Sequence, residues 1–244
     1  MKTGAWRWIF GLALVALSGL VYAIHYAIFH DAHHIFIYMV GDIAFVPVEV
    51  LLVTLILHEL LKRREKKEMM EKVNMVIGVF FHEMGTELLN LMTEFLADRR
   101  ALEERLEGMR DWTEADFARA AAEASAFTPA FWCAGENLVE LREFLVRKRG
   151  FIVRLLVNPN LMEHEQFPRL LWSVTHIIDE LHMRPSVDKL CTLDGEHVAG
   201  DLRRAFHLLL SLWLSHMAHL KSAYPYMYPI ALAQTSFGRE TEEE

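Results

Sequence analysis

Two apolar runs, residues 5–29 and 35–61, lie almost end to end at the start of this 244-residue chain. Each is longer than the roughly 20 residues a helix needs to cross the hydrocarbon core of a bilayer. A helix that is apolar on every side must be buried in protein or surrounded by lipid. Of the first 61 residues, 42 are apolar, whereas the charged residues concentrate after Leu61. The fold class expected from this imbalance is all-α. A two-helix transmembrane hairpin (1–61) continues through a stalk and amphipathic helix (62–106) into a cytoplasmic helical bundle (107–230), followed by a loose acidic tail (231–244). Lys2, Arg7 and the Val21-Tyr22-Ala23 stretch also resemble a cleavable leader, but the apolar run continues through Ile28, beyond an ordinary signal core.

Lys2 and Arg7 precede the first run, and Lys62, Arg63, Arg64, Lys66 and Lys67 follow the second, while the short connection carries no lysine or arginine. Basic residues mark the cytoplasmic side of spans. Both termini are therefore expected in the cytoplasm of a prokaryotic cell, with the protein multi-pass in the inner membrane and the lipid bilayer as its first partner. Gly19, Ala23 and Ala27 recur every four residues, a small-residue stripe that admits a second helix at close range. The neighbour is either the second span or another copy in a homo-oligomer.

Asp42 and Glu49 stand inside the second run with Pro47 between them. Seven residues are nearly two turns, so both carboxyls share one face, about 10 Å apart along the axis. An acid at mid-bilayer costs on the order of 2.5–3.5 kcal/mol even on insertion scales, so it must face protein or water. In one reading, several copies surround an axis and the two acids line a cation or proton pathway, with Ile56 as a constriction below them. In the other, Asp42 pairs with His25 while Glu49 is protonated and bonded to Ser18 or to a carbonyl freed by Pro47.

His25, His30, His33 and His34 fall within ten residues, with Asp31 among them. Imidazole and carboxylate suit borderline divalent metals, and imidazole also titrates near neutral pH. His30, Asp31, His33 and His34 are thus candidate ligands for a divalent metal, or a pH-titrating outer loop. No other cofactor is expected.

Beyond the charged run 62–72, Val73, Ile77, Phe80, Met84, Leu88, Leu91 and Phe95 follow a three-four spacing, the signature of an amphipathic helix. Gly78 and Gly85 interrupt the pattern, which implies either close packing or a bend at each. Thr113 with Asp116 resembles a capping box opening a helix toward Ala126, and Thr128-Pro129 is expected to cap another that reaches Arg149. Asn158-Pro159-Asn160 reads as a turn, residues 167–183 as a helix, 184–195 as a polar loop and 198–223 as the last long helix.

The dipeptide His-Glu occurs at His58, His82 and His164, but Lys62, Thr86 and Pro168 stand where a zincin would place its second histidine. Asp179-x-x-His182 imitates half of a di-iron motif, to which Glu83, Glu87 and Glu140 could add carboxylates, but the second half is missing. Phosphate-binding and nucleophile-elbow motifs are absent, so the chain is read as a non-enzyme. A net charge of −8 excludes the basic footprint of a nucleic-acid binder. Cys133 and Cys191 lack metal or redox spacing.

The segments Asn158–Glu165 (NPNLMEHE), His219–Tyr226 (HLKSAYPY) and Gly41–Phe45 (GDIAF) resemble an uncharacterised prokaryotic family of two-span membrane proteins with a helical cytoplasmic domain. The resemblance implies the architecture and brings no activity with it. Two functions are therefore carried forward. One is a homo-oligomeric cation channel or proton pathway lined by the second span. The other is a membrane-tethered metal- or pH-sensing adaptor that signals to a cytoplasmic protein partner.

Overall fold

The computed structural model describes residues 3–127, 129–132, 136–159, 161, 164–187 and 192–237. Among them the regular elements are helical, apart from one isolated antiparallel bridge between Leu96 and Phe131. The chain divides into two units, Met1–Lys66 and Lys67–Glu244.

In the first unit, α1 (Thr3–Phe29) and α2 (Ala32–Phe80) are joined by only His30 and Asp31. Two features make so short a link workable. His30 adopts the left-handed conformation, φ 50°, and the Asp31 Oδ1 accepts a hydrogen bond from the His34 N–H at 3.1 Å, capping α2. Pro47 lies inside α2 without ending it. Trp6–Phe29 and the apolar part of α2 have mean hydropathies of 2.0 and 2.2 and bury none of that surface in protein. By length and composition both are able to cross a membrane.

The second unit is an all-helical bundle. α2 ends at Phe80 and passes into a π-helical turn, Phe81–Gly85, and then α3 (Thr86–Thr93). At Gly78 α2 is unbroken, and the glycine answers to close packing instead, since a Cβ there would stand 3.6 Å from the His216 Cε1. The break belongs to Gly85 alone. A Cβ there would stand 2.6 Å from the Phe80 ring and 2.7 Å from the Phe81 ring, so any side chain at this position would force those two phenyl groups to shift. Phe80 and Phe81 are both buried, edge to face with each other.

α4 (Arg99–Arg105) is capped by Asp98, and α5 (Glu114–Ala126) by the reciprocal Thr113–Asp116 box. The next helix departs from expectation. Thr128 lies outside the described residues. Around it the chain is extended, with the Ala97 N–H donating to the Ala130 carbonyl and the Trp132 N–H to the Phe95 carbonyl, both at 2.9 Å. Helix α6 therefore starts only at Glu136 and continues past Gly150 to Leu156. α7 occupies Phe167–Met183 as read from its spacing, and the His164 Nδ1 accepts the Phe167 N–H at its start, 3.1 Å. α8 (Thr192–Ala223) begins six residues earlier than expected, and α9 (Tyr228–Ala233) follows the Tyr-Pro turn. The stretch read as a loose tail, 231–244, is not loose at its start: α9 runs into it, and Leu232 and Thr235 are buried; residues 238–244 lie outside the described set, as do Cys133 and Cys191.

α8 is the central element, packing against α5, α7, α3 and α9. It buries Leu209, Leu210, Leu212, Trp213 and Leu214 almost consecutively, the pattern of a helix covered on several sides. α7 presents Leu170, Leu171, Val174, Ile177, Ile178 and Leu181 inward at helical spacing. Polar ties close the far end: the Tyr228 hydroxyl donates to the Met109 carbonyl at 2.7 Å, and Asn90 bonds the Gln234 carbonyl and the Ser236 N–H, each at 3.0 Å.

Candidate protonatable site in the hairpin

The tight α1–α2 turn decides which polar groups meet. His25, one turn before the end of α1, stacks on His34, one turn into α2, with centroids 6.1 Å apart and rings within 1° of parallel. His34 also packs against Tyr38 at 4.7 Å, and His25 against Phe29 at 4.7 Å. The two imidazoles form the wall between two clefts. One, of about 260 Å³, is lined by Val21, Tyr22, His25, His34, Ile35, Tyr38 and Asp42. The other, of about 280 Å³, is lined by His25, Phe29, Asp31 and His34.

The His25 Nε2 is buried and has no hydrogen-bond partner. Such an atom normally carries a protein or water partner. Asp42 lines the same cleft, yet no hydrogen bond or ion pair joins the two among the described residues. The hairpin therefore gathers two imidazoles, two phenols and a carboxylate in an otherwise apolar wall.

The other sequence candidates are placed differently. Asp31 spends one oxygen on capping α2, a role its N-cap position could have signalled. His30 packs on Tyr26 at 6.0 Å, and His33 is exposed. His30, Asp31, His33 and His34 do not bring three ligand atoms together. Ser18, Glu49 and Ile56 are exposed and lie outside both clefts. Of the two acids in the apolar part of α2, Asp42 alone joins the histidines.

In the bundle, the di-iron fragment does not assemble either. Asp179 faces Arg149 at 3.4 Å, Glu83 faces Lys148 at 3.9 Å, and His182 borders Arg142, Glu143 and Arg147. What spacing did not flag is a group that draws on both α7 and α8. His176, Glu180, His197 and Asp201 hold their ligand atoms within 4.8 Å of one another.

Two family models cover nearly the whole chain: the N-terminal helical domain of MJ1433 over residues 2–61, and the C-terminal helical domain of uncharacterized protein MJ1433 over residues 69–233. The chain belongs to the MJ1433 family. Uncharacterized protein MJ1433 of Methanocaldococcus jannaschii is 37% identical over 233 residues, which is 96% of this chain and 94% of that protein. No solved structure matches the chain. The MJ1433 family has no activity attached to its name, so function rests on the chemistry of the residues.

Proposed function

We propose that the protein is a membrane-tethered sensor of acidity, in which the α1–α2 hairpin spans the bilayer with both ends in the cytoplasm and the helical bundle is the cytoplasmic output. The observation that carries this reading is the His25–His34 stack with Asp42 in one cleft and an unpartnered imidazole nitrogen inside it. The exposed apolar surface of both helices supports insertion, because patches of that size are not left to water. The basic residues among Lys62–Lys67 support a cytoplasmic bundle by the positive-inside rule. The titratable groups that line the two clefts are His25, His34, Asp42, Asp31, Tyr22 and Tyr38, with His30 against Tyr26 nearby. A proton bound by the stacked imidazoles would be stabilised by the Asp42 carboxylate in the same cleft, which draws α1 and α2 together at the outer end.

A cation pathway lined by Asp42, Glu49 and Ile56 in a homo-oligomer is the second reading. It is favoured by Glu49, an acid left exposed on an apolar helix, which a bilayer would force toward water or a second copy. The sensor reading ranks first because Asp42 turns into the hairpin's own cleft.

One-sided acidification separates the two. In proteoliposomes with the bundle facing the medium, a drop in lumenal pH should change hydrogen exchange in the bundle at constant external pH. Wild-type protein without that change would end the sensor reading. Proton or cation flux lost in Glu49→Gln would favour the pathway instead.

A further inference from the structure

Four residues of the bundle have no part in that reading, and their geometry is that of a ligand set. His176 and Glu180 lie one turn apart on α7, and His197 and Asp201 one turn apart on α8. Side chains four apart share a helix face. In register, His176 meets Asp201 and Glu180 meets His197, the crossed pairing of antiparallel helices. The His176 Nε2 is 3.1 Å from the Asp201 Oδ2, while the His197 Nε2 is 3.7 Å from that same oxygen and 3.9 Å from the Glu180 Oε1. Four ligands held at zinc distances of about 2.0–2.1 Å in a tetrahedron stand about 3.3 Å apart. The donor atoms are therefore within side-chain adjustment of one common centre.

Burial supplies the second argument. The Asp201 side chain is only 3% exposed, and its Oδ2 receives no hydrogen bond although His176 is near. A buried carboxylate oxygen without a donor is costly unless a cation meets it. The other oxygen is held by Arg204, and the Glu180 Oε1 by Arg184 at 2.8 Å. Arg184 also reaches Asp194 at 3.3 Å. Arg204, on the second Asp201 oxygen, fixes that carboxylate as supporting partners do at metal sites, while Glu180 would ligate through the Oε1 it shares with Arg184 or through its other oxygen. The two imidazoles approach from the exposed side, where an ion can enter.

We propose that the bundle binds one divalent transition-metal ion of the zinc class through His176, Glu180, His197 and Asp201, clipping α7 to α8. Two imidazole nitrogens and two carboxylate oxygens suit zinc, cobalt or nickel. Calcium and magnesium prefer all-oxygen sets, and Cu(I) prefers sulfur. The site escaped the sequence because its halves, H-x-x-x-E and H-x-x-x-D, match no single-helix motif and lie about 20 residues apart.

Cobalt tests it on the full chain in detergent, stripped with chelator, at pH 7.5. Titration should give a 1:1 endpoint with visible d–d bands of a tetrahedral or five-coordinate ion, which zinc then bleaches. His176→Gln and His197→Gln replace half-exposed side chains, so circular dichroism should be unchanged. Each should weaken cobalt binding by more than the roughly 100-fold that loss of a supporting partner costs. A His30→Gln, His33→Gln, His34→Gln triple variant should bind as wild type. No stoichiometric cobalt spectrum, or one lost in the triple variant and kept in His176→Gln, would overturn the proposal; purely octahedral weak bands unaffected by any variant would do the same.

Discussion

Acid should unfold the bundle through one histidine more than through any other. His216, on α8, stacks on the Phe81 ring at 5.0 Å and 10°, above the π-helical turn, and its Cε1 lies 3.6 Å from where a Gly78 Cβ would stand. Burial, with the nearby His219 second, pushes its pKa down from 6.5 to about 4. Between those values the unfolded chain binds a proton that the folded chain refuses. Stability contributed by neutral His216 is thus complete above pH 6.5, falls as the pH drops, and levels off below about pH 4. At 1.36 kcal/mol per pKa unit the loss is about 3 kcal/mol, a large share of an ordinary domain's margin. His164 and His207 are also depressed by burial and add to the fall in the same direction. The difference between wild type and His216→Phe isolates the one residue while keeping a ring on Phe81. Urea unfolding of the full chain in detergent and chelator, followed by tryptophan fluorescence, measures it at pH 7.5, 5.5 and 4. The variant should lose about 3 kcal/mol less than wild type across this range. Parallel pH curves for the two proteins would refute the reasoning.

Two substitutions test the local architecture. Gly85→Ala should cost about 1–3 kcal/mol in the same urea assay, because its methyl meets the Phe80 and Phe81 rings inside 3.0 Å, whereas Gly200→Ala, with open space around it, should be neutral or mildly stabilising. Thr113→Ala removes a hydroxyl that caps α5 and that, with the Thr113 N–H, holds the Asp116 carboxyl below its usual range; about 1 kcal/mol should be lost, read as earlier hydrogen exchange in the first turn of α5.

Local signals predicted the elements they govern. α7 coincides with residues 167–183 because Pro168 sits in its first turn and the apolar stripe keeps one period throughout. The Thr113–Asp116 box marks α5 because both reciprocal bonds are made within four residues. Thr128-Pro129 misled because a capping pair carries no information about the Leu96–Phe131 bridge, a partner more than thirty residues away. The start of α8 was missed because Gly195, a poor helix former, stands in its opening turns, where packing on α7 decides the matter. Of the hairpin site, the shared cleft of His25 and Asp42, though without the pairing expected between them, was legible from two apolar helices joined by a short turn. The stack with His34 was not, since it needs a two-residue turn and a left-handed His30. The His176, Glu180, His197 and Asp201 group was illegible for a related reason: each half is an ordinary polar face until α7 and α8 are set side by side.

The measurement that bears most directly on the sensor is the one-sided pH jump applied to Asp42→Asn. With lumenal pH lowered from 7.5 to 5.5 and the bundle held at pH 7.5 outside, wild-type protein is expected to show altered amide exchange in the bundle. Asp42→Asn, which cannot stabilise a protonated His25–His34 pair, is expected to show little or none. An equal response in Asp42→Asn, or a wild-type bundle indifferent to the lumen, would contradict the account.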